Sequence, residues 1–135
     1  MTNKPVIEAI DHLVLTAADV AATIEFYTRV LGMTAERFQP ADGSPPRQAL
    51  LFGRQKINLH DAASPYSPHA AVAKPGTADL CFLSPTPIAE WQEHLAVLGI
   101  ALEQGPVAKT GATGRLCSIY IRDPDGNLLE ISNLQ

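Results

Sequence analysis

Residues 11–33, DHLVLTAADVAATIEFYTRVLGM, set the pattern on which the rest of the chain is built. Moved 67 positions along, this stretch falls without a gap on residues 78–100, ADLCFLSPTPIAEWQEHLAVLGI. Both begin with an apolar strand, pass through a cluster of Ser, Thr, Asp or Pro, continue as an amphipathic helix and end at Leu-Gly. The same order of elements at the same length predicts two copies of one supersecondary unit.

The residues around these two stretches extend each copy. Residues 5–16 are predicted as the opening strand of the first unit, and Asp19 and Gly32 as the residues that begin and end its helix. In the second unit, residues 100–103 are predicted as a short strand and residues 107–115, VAKTGATGR, as a loop. Further strands are predicted at residues 34–39, 48–52 and 56–60 in the first unit and at residues 116–122 and 127–133 in the second. Each unit then has the element order β-α-β-β-β.

The fold predicted from this pattern is α+β, a single domain made of two βαβββ units. Unit one covers about residues 6–60 and unit two about residues 78–133. The proline-rich residues 61–77 connect them and are either a linker or a binding loop.

Composition excludes several classes of function. The 135 residues carry a net charge of −4, which argues against nucleic acid as a partner. No apolar run approaches the roughly 20 residues of a membrane span, and residues 1–10 lack the apolar centre of a signal peptide, so a cytoplasmic protein is expected. The two cysteines, Cys81 and Cys117, lie in apolar strands and are expected to be buried free thiols.

Four residues that can bind metal occur in the first and last strands of the two units: His12, His60, Asp79 and Glu130. His12 falls on Asp79 in the repeat, and the strands that close the units end in INLH and NLLE, which pairs His60 with Glu130. Because their neighbours along each strand are apolar, all four side chains are predicted to point away from the helices. Two imidazoles and one or two carboxylates suit a divalent transition metal with open coordination positions.

Several motifs resemble those of a known family. FYTRVLG at the end of the first helix and IRDPDGNLLEIS near the end of the chain are similar to motifs of the vicinal oxygen chelate superfamily, which includes glyoxalases, bleomycin-resistance proteins and dioxygenases. FGRQKINLH and GPVAKTGATGR look like the subfamily of glyoxalase domain-containing protein 5 and its bacterial relatives. The resemblance implies two units paired edge to edge into a funnel with a divalent ion at its base.

The resemblance also implies a ligand set and a chemistry. The ligands would be His12, His60 and Glu130, with Asp79 as a fourth candidate, and the ion would be Zn, Ni, Mn, Fe or Co. It would act as a Lewis acid on a small substrate that chelates through adjacent oxygens, in a lyase, isomerase or group transferase. Glu130 or Asp79 would move a proton as the general base. Members usually complete the funnel by pairing across chains, so a homodimer is expected.

Further residues are candidates for contact with the substrate. Lys109 and Arg115 flank the Gly-rich loop and are expected to meet an anionic group, and Tyr120 lies on the strand that follows. Two alternatives stay open at this point: a metal-free protein that sequesters a small molecule, as bleomycin-resistance proteins do, and a metal-stabilised scaffold without turnover.

Overall fold

The computed structural model describes residues 3–135, so Met1 and Thr2 of the N-terminal segment considered above lie outside the described residues. The elements follow the predicted order twice, which confirms the α+β fold of two βαβββ units. Their bounds are β1 (His12–Ala17), α1 (Val20–Arg29), β2 (Thr34–Phe38), β3 (Arg47–Phe52), β4 (Gln55–Asp61), β5 (Asp79–Leu83), α2 (Ile88–Val97), β6 (Gln104–Thr110), β7 (Arg115–Arg122) and β8 (Leu128–Leu134).

Each unit forms its own four-stranded sheet. The strand orders are β1-β4-β3-β2 and β5-β8-β7-β6. In both sheets the first strand lies parallel to the last strand of the same unit, and the other neighbours are antiparallel. The strands that carry the predicted site residues, β1 with β4 and β5 with β8, are therefore direct neighbours.

The first helix begins at the predicted N-cap, but its last helical residue is Arg29 and its C-cap is Val30, two residues before Gly32. The Asp19 carboxylate accepts a hydrogen bond from the Ala22 backbone N–H at 3.1 Å, which satisfies one of the free donors of the first turn. Gly32 follows the helix at φ +72°, a conformation that favours glycine. The repeat boundary in the sequence is thus a real helix stop.

The prediction that the first strand begins at residue 5 is wrong, because β1 begins at His12. Pairing starts where His12 lies opposite Lys56, near the beginning of β4, so the residues before His12 have no neighbouring strand. Val6, Ile7 and Ile10 are 86%, 93% and 72% exposed. An apolar sequence alone does not make a strand when no partner strand reaches it.

The predictions for residues 100–115 are also wrong in part. Residues 100–103 are not a strand, and β6 (Gln104–Thr110) includes residues 107–110 of the predicted loop. The strand contains Gly105 and Pro106, residues that normally signal a turn, and the pairing with β7 is irregular between Gln104 and Val107. A Cβ at Gly105 would collide with the Ser118 backbone oxygen, so glycine marks a close approach of two strands.

The two units share one apolar core. Helix-facing residues of both sheets and both helices form a single buried cluster. Phe52 and Phe82 meet edge to face at 5.4 Å across the boundary between the units. His94 of α2 lies with Nε2 2.8 Å from the Val30 carbonyl oxygen, to which it donates. The units therefore pack together through their helix-covered sides.

A buried polar network fixes this arrangement. The hydroxyl of Tyr27, on α1, donates to Asp123 Oδ2 at 2.7 Å, and the Asn127 side-chain amide donates to the same oxygen at 2.8 Å. All three residues are buried. Burial and the neighbouring Asp123 raise the pKa of Tyr27 far above its usual value, so its hydroxyl keeps its proton and remains the donor. The DPDG turn of unit two is thereby joined to the helix of unit one.

The opposite faces of the sheets, which we call the open faces, carry no helix, and residues 66–73 of the connection lie against part of the first one. Val14 and Phe38 on the first open face are 48% and 57% exposed, and Leu83 on the second is 63% exposed. Among residues 3–135, no helix has the length and apolar character needed to cross a bilayer.

We expect Tyr27→Phe to lower the free energy of unfolding by about 1–3 kcal/mol, because Asp123 loses a buried donor that water cannot replace. Tyr66→Phe is the matched control: its hydroxyl donates to the Pro46 carbonyl at 3.1 Å in a partly exposed position. Its cost should stay below about 1 kcal/mol. Urea denaturation of both variants measures the difference, and equal losses would contradict a special role for the Tyr27–Asp123 bond.

Candidate functional site

The strand pairing shows which positions of the two units are structurally equivalent. In unit one Val14 lies opposite Asn58, and in unit two Cys81 lies opposite Glu130. Val14 and Cys81 correspond in the 67-residue repeat. The residue of unit one that corresponds to Glu130 is therefore Asn58.

The predicted pairing of His60 with Glu130 is thus wrong by two residues. Thr16 lies opposite His60, and its repeat equivalent Leu83 lies opposite Ser132. His60 therefore corresponds to Ser132. A shift of two residues keeps a side chain on the same face of a strand, so the alternation of apolar residues could not reveal the error.

His12 and His60 lie on the same open face but at opposite ends of the strand pair. His12 is opposite Lys56, so it is offset from His60 by four positions, about 13 Å at roughly 3.3 Å per residue. The nearest positions to His12 on the same face of β4 are Lys56 and Asn58. One small ion cannot readily be shared by two imidazoles that far apart, because metal–nitrogen bonds are only about 2 Å long.

His12 is oriented for binding through one ring nitrogen. Its Nδ1 is 2.8 Å from the Asp11 carboxylate, and its side chain is 44% exposed. A carboxylate that accepts the Nδ1 proton leaves Nε2 unprotonated and available as a ligand, the arrangement found for histidines that bind metals.

His60 is held in a different environment. It is buried beneath the 61–77 connection, its ring meets Tyr66 edge to face at 4.8 Å, and its Nδ1 has no hydrogen-bond partner among the described residues. Burial lowers the pKa of His60, and the charges of His69 and Arg47 lower it further. A neutral imidazole with an unsatisfied nitrogen is suited to hydrogen-bond a bound molecule.

Glu130 accepts a hydrogen bond on the open face of unit two. Its Oε2 lies 3.3 Å from the donating Ser132 hydroxyl, and Tyr120 lies directly opposite on β7. Burial and the neighbouring Glu130 carboxylate raise the pKa of Tyr120 to about 12, so the phenol keeps its proton at neutral pH. Asp79 is exposed on the same face, two positions out of register with Glu130.

One thiol is more exposed than predicted, and of the two predicted substrate-binding cations Lys109 lines a cavity together with Glu130. Cys81 is exposed beside Glu130 and not buried as predicted, while Cys117 is partly buried; both are free. Lys109 lies on β6 with its ammonium 5.6 Å from the centre of the Tyr120 ring. Arg115 begins β7 and does not line the cavity of about 400 Å³ that contains Lys109 and Glu130.

One chain thus presents two separate half-sites. His12 and His60 line a cavity of about 450 Å³ on unit one, and Glu130 lies in the other cavity on unit two. Within residues 3–135, no three His, Cys, Asp or Glu side chains lie close enough together to hold a metal ion. The structure brings Asp79 near Glu130 and His12 near Asn58, but it does not bring these two groups together.

Sequence reasoning missed the polar residues that surround His12 and His60. Arg47, Lys56, Asn58 and Tyr66 all line the unit-one cavity. The available signal was the alternation K-I-N-L-H along β4, which puts Lys56 and Asn58 on the same face as His60. Tyr66 belongs to the connection, whose path over the cavity has no signature in the sequence.

Residues 9–131 match the family model described as the Glyoxalase/Bleomycin resistance protein/Dioxygenase superfamily. The chain is 51% identical over 127 residues to a virulence protein of Salmonella typhimurium, covering 94% of this chain and 85% of that protein. The crystal structure of the virulence protein superimposes with a TM-score of 0.91, at 50% identity, over 97% of this chain and 100% of the other.

The chain is also similar to two further proteins. The chain is 48% identical to the glyoxalase domain-containing protein RDO1 of Mycosarcoma maydis, over 96% of this chain and 70% of that protein. The crystal structure of a lactoylglutathione lyase from Agrobacterium tumefaciens is 28% identical, with 96% of each chain covered and a TM-score of 0.67.

The environment of His60 leads to a pH prediction for the metal-free protein. We expect NMR titration to give His60 a pKa below the ordinary value of about 6.5. His69→Gln should raise it only in part, because burial is the larger cause. Since the unfolded chain binds the proton first, the free energy of unfolding should be fully retained above about pH 6.5 and decline as the pH falls through the folded pKa. A His60 pKa at or above 6.5 would contradict this description.

Proposed function

Because the chain belongs to the glyoxalase/bleomycin resistance protein/dioxygenase superfamily, we propose that it is a metal-dependent enzyme acting on a small substrate that chelates through neighbouring oxygens. The reaction would be that of a lyase, an isomerase or a group transferase. The observation that carries the proposal is that two pairs of residues occupy equivalent positions on the two open faces. The pairs are His12 with Asn58 and Asp79 with Glu130, and in each pair the second residue lies two positions beyond the one directly opposite the first.

The chemistry of these donors fits a divalent transition metal. An imidazole, two carboxylates and an amide oxygen together match the ligands preferred by Mn, Fe, Co, Ni and Zn. His12 is oriented by the Asp11 carboxylate at its Nδ1, and Glu130 accepts a hydrogen bond from Ser132. Ligands held by hydrogen bonds in this way are typical of metal centres.

The ligand set that we propose is His12, Asp79 and Glu130, with Asn58 as a further oxygen donor. Of the ligands expected from the sequence, His60 is the one that the register disfavours, because it lies four positions from His12. We assign His60 instead to contact with the substrate. Its buried, unpartnered Nδ1 supports this role.

A homodimer follows from the separation of the half-sites. In one chain the units pack through their helix-covered sides, so the two open faces cannot meet. The open face of unit one could meet the open face of unit two of a second copy, which would also cover Val14, Phe38 and Leu83. Each dimer would then contain two equivalent sites.

The chain's own groups would position the substrate and move protons. Lewis-acid polarisation of a substrate oxygen is the chemistry that a bound divalent ion supplies. Asp79, which is exposed on the open face, would accept a proton as the general base, whereas Glu130 is held by the Ser132 hydroxyl. The Tyr120 hydroxyl, opposite Glu130, keeps its proton at neutral pH.

A metal-free binding protein is the second candidate function. It is favoured by the fact that, within residues 3–135 of one chain, no three metal-binding side chains lie close enough together to hold an ion. Its ligand binding would be unchanged by a chelator, whereas that of the proposed enzyme would not. The expected cytoplasmic location stays a prediction under either function.

Metal analysis of purified variants tests the proposed ligands. The wild-type protein should bind about one divalent ion per chain, and His12→Ala or Glu130→Ala should weaken binding by more than about 100-fold, since even the loss of a residue that only supports a ligand costs 10–100-fold. His60→Ala should retain the metal. His69→Ala is the matched control, because His69 is an exposed histidine of the 61–77 connection.

Equal metal content in the wild-type protein and a His12→Ala/Glu130→Ala double variant would overturn the proposed site. Loss of metal in His60→Ala but not in His12→Ala would restore the ligand expected from the sequence and reject the register argument.

A further inference from the structure

The unit-one cavity has a charge distribution that the proposed function does not explain. The cavity has a volume of about 450 Å³ and is lined by residues of β1, β2, β3, β4 and the 61–77 connection. Two of these residues, Arg47 and Lys56, are cations, and Glu36 is the one carboxylate. The ion pairs found within residues 3–135 are His12–Asp11 and Arg122–Glu103, so neither cation of the cavity is paired.

Arg47 is held against an aromatic ring and forms no ion pair within residues 3–135. Its guanidinium carbon lies 4.3 Å from the centre of the Tyr66 ring, a cation–π contact. The Tyr66 hydroxyl donates to the Pro46 carbonyl at 3.1 Å, which ties the ring to the residue before Arg47. A guanidinium that is fixed over an aromatic face keeps its N–H donors free for a ligand.

The strand pairing places the two cations at the two ends of the cavity. Lys56 lies opposite His12. Arg47 is one residue before Gln48, which lies opposite Leu59, and this puts Arg47 beside His60. A molecule that reached both cations would therefore extend from His12 to His60.

We propose that Arg47 binds the carboxylate of an anionic substrate whose apolar body contacts Val14 and Phe38 and whose other end lies beside Lys56 and His12. This inference rests on the proposed function for the chelating oxygens, which lie at the His12 end. The planar guanidinium of Arg47 matches a carboxylate through two parallel hydrogen bonds. The two side chains assigned to the apolar body are 48% and 57% exposed in the single chain. Arg47 thus takes the role of anion contact that the sequence suggested for Lys109 and Arg115.

Salicylate is a suitable probe for the Arg47 end of the cavity, because it combines a carboxylate with an apolar ring. Salicylamide is its neutral counterpart. Binding of each to the full-length protein is measured by calorimetry or NMR, with and without prior chelator treatment. We expect the chelator-treated wild-type protein to bind salicylate and to bind salicylamide much more weakly, with an affinity for salicylate that falls as salt rises.

Variants separate the cavity charges from general charge effects. Arg47→Gln should weaken salicylate binding roughly 10–100-fold, the usual cost of a lost charge-assisted hydrogen bond, and Lys56→Gln by a smaller factor. Glu36→Gln should strengthen it, because a like charge is removed. Arg37→Gln is the matched control: Arg37 is exposed on β2 between two cavity residues, so its side chain points to the other face. Thermal melting confirms that each variant is folded.

The two hypotheses fail in different ways. Salicylate binding that depends on Arg47 in chelator-treated protein, together with a wild-type protein that takes up no metal, would support this inference and overturn the proposed enzyme. The opposite result is a protein that takes up metal but does not bind salicylate, or binds it equally in wild type, Arg47→Gln and Arg37→Gln. That result would overturn the inference and leave the metal site in place.

Discussion

The hydrogen bond from the Tyr27 hydroxyl to the Asp123 carboxylate determines how the two halves of the chain face one another. It is buried, it joins the first helix to the DPDG turn of the second unit, and the same carboxylate oxygen also accepts from Asn127. Leaving a buried carboxylate without its donors is costly, so the pairing strongly favours one relative orientation of the units. In that orientation the helix-covered sides form the core and the open faces point outward.

The location of the chemistry follows from this orientation. The polar residues of each unit lie on the open face because the other face is occupied by the core, and the units cannot turn those faces toward each other without breaking the Tyr27 network. His12 and Asn58 are consequently separated from Asp79 and Glu130 in one chain. A second copy is the simplest way to bring the two half-sites together, and it would also cover the exposed apolar side chains around them.

Side-chain direction could be predicted from the sequence, but strand register could not. The apolar neighbours of His12, His60, Asp79 and Glu130 in the sequence were sufficient to place all four on open faces. The match of His60 to Glu130 failed because sliding a strand by two residues changes no side chain's face, and only the pairing of β1 with β4 and β5 with β8 decides between the two alignments.

The remaining errors have equally local causes. Gly105 and Pro106 are typical turn residues, yet they lie in β6, where the glycine is required by a close approach to β7. The contact of Arg47 with Tyr66 depends on how the 61–77 connection folds over the first sheet, and no periodic pattern encodes such a path. The fold was therefore predictable from the repeat, while the cavity required the tertiary structure.

The central claim, that each site is completed by two chains, is tested most directly by co-expressing His12→Ala and Glu130→Ala variants and measuring bound metal. Each variant alone should be nearly metal-free. In a mixed dimer the intact His12 of one chain meets the intact Glu130 of the other, so random pairing should restore about a quarter of the wild-type metal content. If the mixed preparation contains no more metal than the single variants while the wild-type protein is fully loaded, the site does not form between chains.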